Sequence, residues 1–385
     1  MYLQGHEGVL NYASLACHGD YDYYSDYFYG GFFRRNKKTR EIEYLMTLFQ
    51  DNLLETGVVR KVIYKNGLII GVPFKGKGIF TYDIASGEAK YFYDEKYFVE
   101  GFSNSIEFGN RILLIPTKLS GEFLYLHENG SFSRAETINE LAESLFENNE
   151  NACLDGYSSC AYQGVIYLAI RKSEWIIKID PKRGLSERIR IEGARLSNLV
   201  LLDDSIWLTT LASKGTDGAV IRLDIKTGKY KRYRLQKLGE GHSCYGFAVY
   251  QKTVLAFETE GDHIWIYDFK TDAWRIFADK SDYPEEFHRV RQGYPLFWGF
   301  HHEDGKLLLL PTGGNGTIAI DEHSDKMTFY SSRMPEDYTG ICKNIERERK
   351  ASLIERAFGS KKQGFITEKS DLDLDAYICF IHKGE

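Results

Sequence analysis

The chain reads as an all-β protein, a β-propeller of seven four-stranded blades, and three observations carry that reading. One phrase recurs: a strand ends in an aromatic or apolar residue followed by Asp, a short turn follows, and another strand begins. It stands at Tyr82-Asp83 with Gly87, Ile179-Asp180 with Gly184, Leu223-Asp224 with Gly228, Tyr267-Asp268 with Asp272 and Ile320-Asp321 with Asp325. The spacing is regular: Asp180, Asp224 and Asp268 are about 44 residues apart, and Asp83 precedes Asp180 by about twice a slightly longer unit. Degenerate copies lie at Tyr125 to Gly130 and at Phe33 to Arg40. Finally, each unit divides into four short strands, and a period of roughly 40 to 50 residues with four strands is what propeller blades show.

The second unit shows the division best. Strand A ends at Val62 to Tyr64, Lys65-Asn66-Gly67 turns, Leu68 to Phe74 is strand B, Gly78 to Asp83 strand C and Ala89 to Tyr93 strand D. Asn-Gly signals a tight hairpin because both central positions need positive φ. Counterparts of this A–B turn are Gly109-Asn110, Gln163-Gly164, Asp203-Asp204, Gln251-Lys252 and Glu303-Asp304-Gly305. The B strands, such as Ile112 to Ile115, Val165 to Leu168 and Leu307 to Leu310, are continuous apolar runs, as expected of strands packed on both faces. The first unit, about residues 8 to 50, is the least regular, with Tyr21 to Phe33 as its B and C strands and Glu41 to Leu48 as D. Counting it gives seven blades and rejecting it gives six; seven is the expected number. Asp at the end of each C strand is expected to accept hydrogen bonds from the turn amides.

Two pieces stand outside the blades. Thr137-Ile138-Asn139-Glu140 reads as a capping box opening a short helix through Leu141, Ala142 and Leu145. The propeller is expected to span 1–335, and a helical tail, 336–385, to pack on it through Ile341, Ile345, Leu353, Ile354, Ala357 and Phe358. Within that tail Asp371 to Asp375 leads into Ala376 to Phe380, a second helix or a strand.

Two phrases carry a resemblance. Tyr267-Asp268-Phe269-Lys270-Thr271-Asp272-Ala273-Trp274 resembles the Tyr-Asp…Thr…Trp phrase of kelch-type blades. Arg222-Leu223-Asp224-Ile225-Lys226-Thr227-Gly228-Lys229 is similar to the blades of virginiamycin-lyase-like propellers. The likeness covers one phrase per blade, and kelch's paired glycines before strand C are missing from most units. It implies the fold and carries no functional residue over.

Composition bounds the function. The chain has 385 residues, 43% hydrophobic and 15% aromatic, enough for a large core. A formal charge of -6 spread along it argues against a nucleic-acid or anionic-membrane surface. The basic pairs Lys37-Lys38 and Lys182-Arg183 fall on turns and read as solvated. No apolar run approaches the roughly 20 residues of a membrane span. Met1 to Glu7 has no signal-peptide pattern. Cys17, Cys153, Cys160, Cys244, Cys342 and Cys379 form no C-x-x-C pair and have no His at metal spacing, so reduced and mostly buried thiols are expected. The expected location is the cytoplasm, with a secreted mature form as the alternative. No cofactor and no metal are expected; the expected partner is a protein or glycan.

Propeller topology separates two ends. The A–B and C–D turns lie at one, here the turn end; the B–C loops and the crossings from strand D to the next A lie at the other, the crossing end. The elaborated segments, Arg134 to Gly156, Gly239 to Tyr245 and Ala278 to Leu296, fall at the crossing end, making it the expected functional face. The starts of the A strands place Arg60, Asn104, Ser158, Asn198, Tyr245 and Trp298 around the channel mouth there. Such a mixture of cation, amides, hydroxyl and rings suits a polar small molecule or glycan. His242 on that face is the candidate general base. His301 and His302 fall at an A–B turn; neighbours on a strand point opposite ways, so the pair reads as structural rather than as a chelate. The Tyr-rich run Asp20 to Tyr29 reads as strand packing with exposed phenols. No P-loop, G-x-S-x-G, H-E-x-x-H or EF-hand loop is present.

Three functions fit these residues. One is a non-catalytic binding module presenting the loops of one face to a protein or glycan, favoured by the absence of a nucleophile signature. The second is a lyase, epimerase or lactonase acting on a sugar or cyclic ester, with His242 as base and Glu258 or Glu260 nearby; a metal-dependent form would draw on Asn104, Asn198 and Glu258. The third is a scaffold docking through a helix over Ile341 to Phe358.

Overall fold

The computed structural model describes residues 8–49, 58–75, 78–94, 101–145, 152–212, 218–235, 242–259, 261–290 and 294–358, with 155, 156 and 353–358 as backbone only. Seven antiparallel four-stranded sheets follow one another, each paired in chain order. Blade 1 is β1 (Ala16–His18), β2 (Tyr21–Ser25), β3 (Gly31–Asn36) and β4 (Ile42–Thr47). Blade 2 is β5 (Val59–Lys65), β6 (Leu68–Pro73), β7 (Gly78–Asp83) and β8 (Ala89–Tyr93). Blade 3 is β9 (Phe102–Phe108), β10 (Arg111–Pro116), β11 (Leu124–Leu126) and β12 (Phe132–Arg134). Blade 4 is β13 (Leu154–Tyr162), β14 (Val165–Ile170), β15 (Trp175–Asp180) and β16 (Leu185–Arg190). Blade 5 is β17 (Leu196–Leu202), β18 (Ser205–Thr210), β19 (Val220–Asp224) and β20 (Tyr230–Tyr233). Blade 6 is β21 (Cys244–Tyr250), β22 (Thr253–Glu258), β23 (Ile264–Asp268) and β24 (Ala273–Ala278). Blade 7 is β25 (Phe297–Glu303), β26 (Lys306–Pro311), β27 (Gly316–Asp321) and β28 (Met327–Ser331). The chain is thus a seven-bladed propeller, and the irregular first unit is a full blade.

The recurring Asp does what its turn requires. Asp83, Asp180, Asp224, Asp268 and Asp321 all end third strands. Each carboxylate accepts from a turn amide: Ser86 at 2.9 Å, Arg183 at 3.1 Å, Thr227 at 2.7 Å, Lys270 at 2.8 Å and Ser324 at 2.9 Å. These bonds favour the charged form. Asp83, Asp224 and Asp268 are held below the ordinary carboxylate pKa chiefly by the amides of Ser86, Thr227 and Lys270, and Asp321 chiefly by the Ser324 hydroxyl. In blade 1 Asn36 substitutes, accepting from Lys38 and Thr39.

The cores lie between blades. Ile70, Val72 and Ile79 of blade 2 pack with Phe102, Leu114 and Leu124 of blade 3. Trp207, Val220 and Tyr233 of blade 5 pack with Val254, Trp265 and Tyr267 of blade 6. The capping-box expectation is not met: α1 (Glu136–Glu143) starts before Thr137, with Ala135 at its N-cap and no side-chain cap. Asn139 instead turns inward, accepting from Phe123 N and donating to Phe123 O at 2.8 and 3.0 Å, which pins the helix to blade 3.

The ring closes without a shared strand, since blades 1 and 7 are each built from contiguous chain. Residues 8–15 and helix α2 (Glu336–Phe358) bridge them. Leu10 N donates to Ser332 O at 2.7 Å, Met334 N to Gly8 O at 2.6 Å and Tyr12 N to Pro311 O at 3.0 Å. Tyr338 of α2 lies between Phe33 and Tyr44, and its hydroxyl accepts from Gly31 N at 2.8 Å. Tyr24, Tyr27, Phe28, Tyr29 and Phe33 of blade 1 form one buried cluster with Leu308 and Leu310 of blade 7 and with Tyr338 and Ile345 of α2. The phenols of the Tyr-rich run are therefore largely buried rather than exposed, because the segment and α2 cover them. The Asp371 to Phe380 stretch lies outside the described residues.

No helix among the described residues is long and apolar enough to cross a membrane. Cys160, Cys244 and Cys342 are buried, Cys17 is half-buried and Cys153 is exposed.

Candidate functional site

Six of the seven inner strands carry an irregular register at their crossing ends. Arg60, Tyr245 and Trp298 are the extra residues in β5, β21 and β25; Ser158 and Asn198 lie within the irregular stretches of β13 and β17. In β9 the extra residue is Ser103, one before Asn104. A bulge bends its strand and re-aims a side chain, here beside the channel.

The ring divides in two. The Arg60 guanidinium lies 4.3 Å from the Trp298 ring, 4.9 Å from Phe74 and 5.4 Å from Tyr157. Trp298 meets Tyr27 at 4.5 Å and Tyr245 at 6.0 Å, and Tyr157 donates to Ala13 O at 2.7 Å. These cation–π and edge contacts fill the crossing end of the channel. Gly299 makes the packing possible: a Cβ there would lie 2.2 Å from Ala13 O and 2.6 Å from the Tyr157 hydroxyl. Asn198 donates to Tyr245 O while its Oδ1 has no hydrogen-bond partner, and Ser158 is fully buried.

Beyond this ring lies a cavity of about 380 Å³. Its lining runs from Arg60 and Ser103 to Glu107, Ala161 and Leu201 near the turn end, where Glu107 is exposed. The wall from blades 2 to 4 carries the polar groups, Lys61, Asn104, Ser105, Glu107 and Ser159, among Ile106, Cys160 and Ala161; the facing wall is apolar throughout, with Leu199, Val200, Leu201, Phe247 and Phe300. Lys61 Nζ donates to Ser105 O and lies 3.5 Å from Asn104 Oδ1, while Asn104 Nδ2 donates to Ser159 Oγ at 2.9 Å. The Ser105 hydroxyl is buried without a hydrogen-bond partner. Burial lowers the Lys61 pKa to about 8, against the pull of Glu107 upward. Burial pushes the Cys160 thiol, also on the wall, up to about 12.

Of the expected site residues, Arg60 and Asn104 touch this cavity, whereas Ser158, Asn198, Tyr245 and Trp298 pack around its crossing end. His242 stands apart: its carbonyl accepts from Gly218 N at 3.0 Å, and no hydrogen bond joins it to Glu258 among the described residues. Glu258 is buried, taken up by His263 Nδ1 at 3.0 Å and Trp265 Nε1 at 2.8 Å. Glu260 lies outside the described residues. Lys61, Ser105, Glu107 and Ser159 were not anticipated; the available signal was a charged Arg60-Lys61 pair between Val59 and Val62-Ile63 of an inner strand.

No protein-family model matches the chain, and no curated protein matches it in sequence. Solved structures do. Streptogramin B lyase aligns with a TM-score of 0.56 at 10% identity, over 85% of this chain and 96% of that one. YCF48 from Cyanidioschyzon merolae aligns at 0.59 and 10% identity, over 81% and 96%. The extracellular domain of a putative hybrid two component system from B. thetaiotaomicron aligns at 0.56 and 14% identity, over 85% of this chain and 46% of that one. The chain thus spans less than half of that extracellular domain. At these identities the likeness places the chain among β-propellers by fold alone.

Proposed function

We propose that this propeller is a non-catalytic binding module whose central channel holds a small hydroxylated carboxylate, such as a sugar acid. The observation that carries this is the division of one cavity into a polar and an apolar wall. Its volume, about 380 Å³, falls within the roughly 300–1,000 Å³ of small-molecule sites. Lys61 would meet the carboxylate, Glu107 would meet ligand hydroxyls, and the Leu199 to Leu201 wall with Phe247 and Phe300 would cover a sugar's C–H face. Similar folds include an extracellular domain of a putative two component system and a lyase, so the fold alone does not separate binding from catalysis. A protein or glycan held by the crossing-end loops remains the broader form of this reading; many of those loops lie outside the described residues.

The test is calorimetric titration of the protein with gluconate and glucuronate beside glucose. Acids are expected to bind and glucose to bind weakly, and Lys61→Met is expected to abolish acid binding with the β spectrum unchanged. Equal binding by Lys61→Met, or none by any acid, would defeat the proposal. Product detected by mass spectrometry after incubation would replace it with the enzyme reading.

A further inference from the structure

At the turn end of the seam between blades 1 and 7, four donor side chains of four kinds converge. Cys17 and Asp22 are directly opposed in the β1–β2 ladder, so they share one face of blade 1. His301 and Glu303 are two apart on β25, so they share the opposing face of blade 7. Cys17 Sγ lies 3.1 Å from His301 Nε2 and 3.2 Å from Asp22 Oδ1. Donor atoms of Cys17, Asp22 and Glu303 all fall within 4.8 Å of one another. In tetrahedral zinc, with sulfur at about 2.3 Å and nitrogen at about 2.0 Å, two such donors stand about 3.5 Å apart. Cys17 thus already stands at ligand spacing from both His301 and Asp22, and Glu303 lies within the same small group as Cys17 and Asp22.

The two neighbouring cations act on such a site in opposite ways, Arg35 orienting a ligand and Lys37 competing with the ion. Arg35 donates to Asp22 Oδ2 through two nitrogens at 2.8 and 3.1 Å, leaving Oδ1 turned to the cluster. An outer partner of this kind orients a ligating carboxylate. Lys37 pairs with Glu303 and lies 4.0 Å from Asp22 Oδ1. Its ammonium thus stands where these carboxylates call for positive charge, on a long side chain that can swing to water. The adjacent His302 points elsewhere, to Glu322 at 2.7 Å.

We propose that Cys17, Asp22, His301 and Glu303 form a divalent zinc-type metal site that joins the first blade to the last. A thiolate with an imidazole and carboxylates selects zinc over magnesium or calcium. On binding, the Cys17 thiol releases its proton to solvent, Lys37 withdraws, and no electron is exchanged. The ion would tie the one junction that no crossing of the chain spans, and its binding energy would add to the stability of the closed ring. The site is separate from the channel, so the two proposals stand or fall independently.

The test uses the full chain stripped with chelator and then titrated with zinc, with cobalt(II) as the spectroscopic probe. One equivalent of zinc retained through gel filtration, a raised melting temperature and a near-ultraviolet thiolate-to-cobalt band are expected. Cys17→Ser should lose the band and Cys153→Ser should keep it, both with native circular dichroism. Lys37→Met removes the competing ammonium and should bind zinc more tightly, a gain that misfolding cannot mimic. Weak binding at many sites only, a band that survives Cys17→Ser, or a Lys37→Met protein that zinc does not stabilise would overturn the site.

Discussion

Tyr338 is the side chain on which closure of the ring can be measured. Its ring is fully buried, 4.8 Å from Phe33 and 4.9 Å from Tyr44 between centroids, and its hydroxyl accepts from Gly31 N at 2.8 Å. Tyr338→Phe deletes the hydroxyl, leaving the Gly31 amide without its acceptor and removing a longer 3.5 Å bond to Asp26 Oδ2, which costs about 1–3 kcal/mol. Tyr338→Ala also empties the space between two blade 1 rings, and truncation of a buried aromatic costs about 3–5 kcal/mol. Since the losses overlap, about 3–5 kcal/mol is expected for Ala, with Phe clearly intermediate. Urea unfolding followed by tryptophan fluorescence reads this as a shift of midpoint at unchanged slope. Gly31→Ala attacks the same contact from the other side, because its Cβ would stand 2.4 Å from Tyr338 Cζ. Its cost should shrink in the Tyr338→Ala background. A loss under about 1 kcal/mol for Tyr338→Ala, far below the usual truncation cost, would refute the role assigned to α2 in closing the ring.

Three further outcomes are expected. Gly299→Ala should cost about 1–3 kcal/mol or more by overpacking against Ala13 O and the Tyr157 hydroxyl; wild-type stability in urea would count against the tight crossing end. Affinity for carboxylates should be flat below about pH 8 and fall by about tenfold per pH unit above it, as Lys61 loses its proton. For stability the sign is opposite: the folded pKa of Lys61 lies below its unfolded value of about 10.4, so the cost of burying its charge is relieved as pH rises from about 8 to about 10.4. Calorimetry in matched buffers checks the binding side, and a pH-independent affinity would remove Lys61 from the site. Iodoacetamide at pH 8 should alkylate exposed Cys153 and spare Cys160, whose thiol is held up to about 12 by burial; peptide mass spectrometry showing equal labelling would contradict that burial.

What could be read in advance was local. An Asp that accepts its own turn amides needs only residues within three or four positions, so Asp83, Asp224 and Asp321 announce their turns in the chain itself. The apolar B strands are equally local, because a doubly packed strand needs no partner identified to look apolar. The bulged ring was half visible: the positions of Arg60, Tyr245 and Trp298 follow from the repeat, but that rings would enclose Arg60 depends on Phe74, just past β6, and on Tyr157 of β13. The channel wall was not legible, since Lys61, Ser105 and Ser159 meet only when separate blades close around one axis. Cys17 and His301 are 284 positions apart, and no spacing rule reaches that far. Thr137 and Glu140 have the spacing of a capping box, yet the helix already runs from Glu136, held to blade 3 by the tertiary bonds of Asn139 with Phe123.

The way the seam is stitched also fixes how the molecule would answer to force. Residues 8–10 run antiparallel to 332–334, with Gly8 opposite Met334 and Leu10 opposite Ser332. Tension applied between residues 8 and 334 therefore meets the pair at its open end, loading its hydrogen bonds in turn rather than together. Under traction the ring would peel like a clasp, the N-terminal segment lifting from the last blade while each sheet, made of contiguous chain, stays whole.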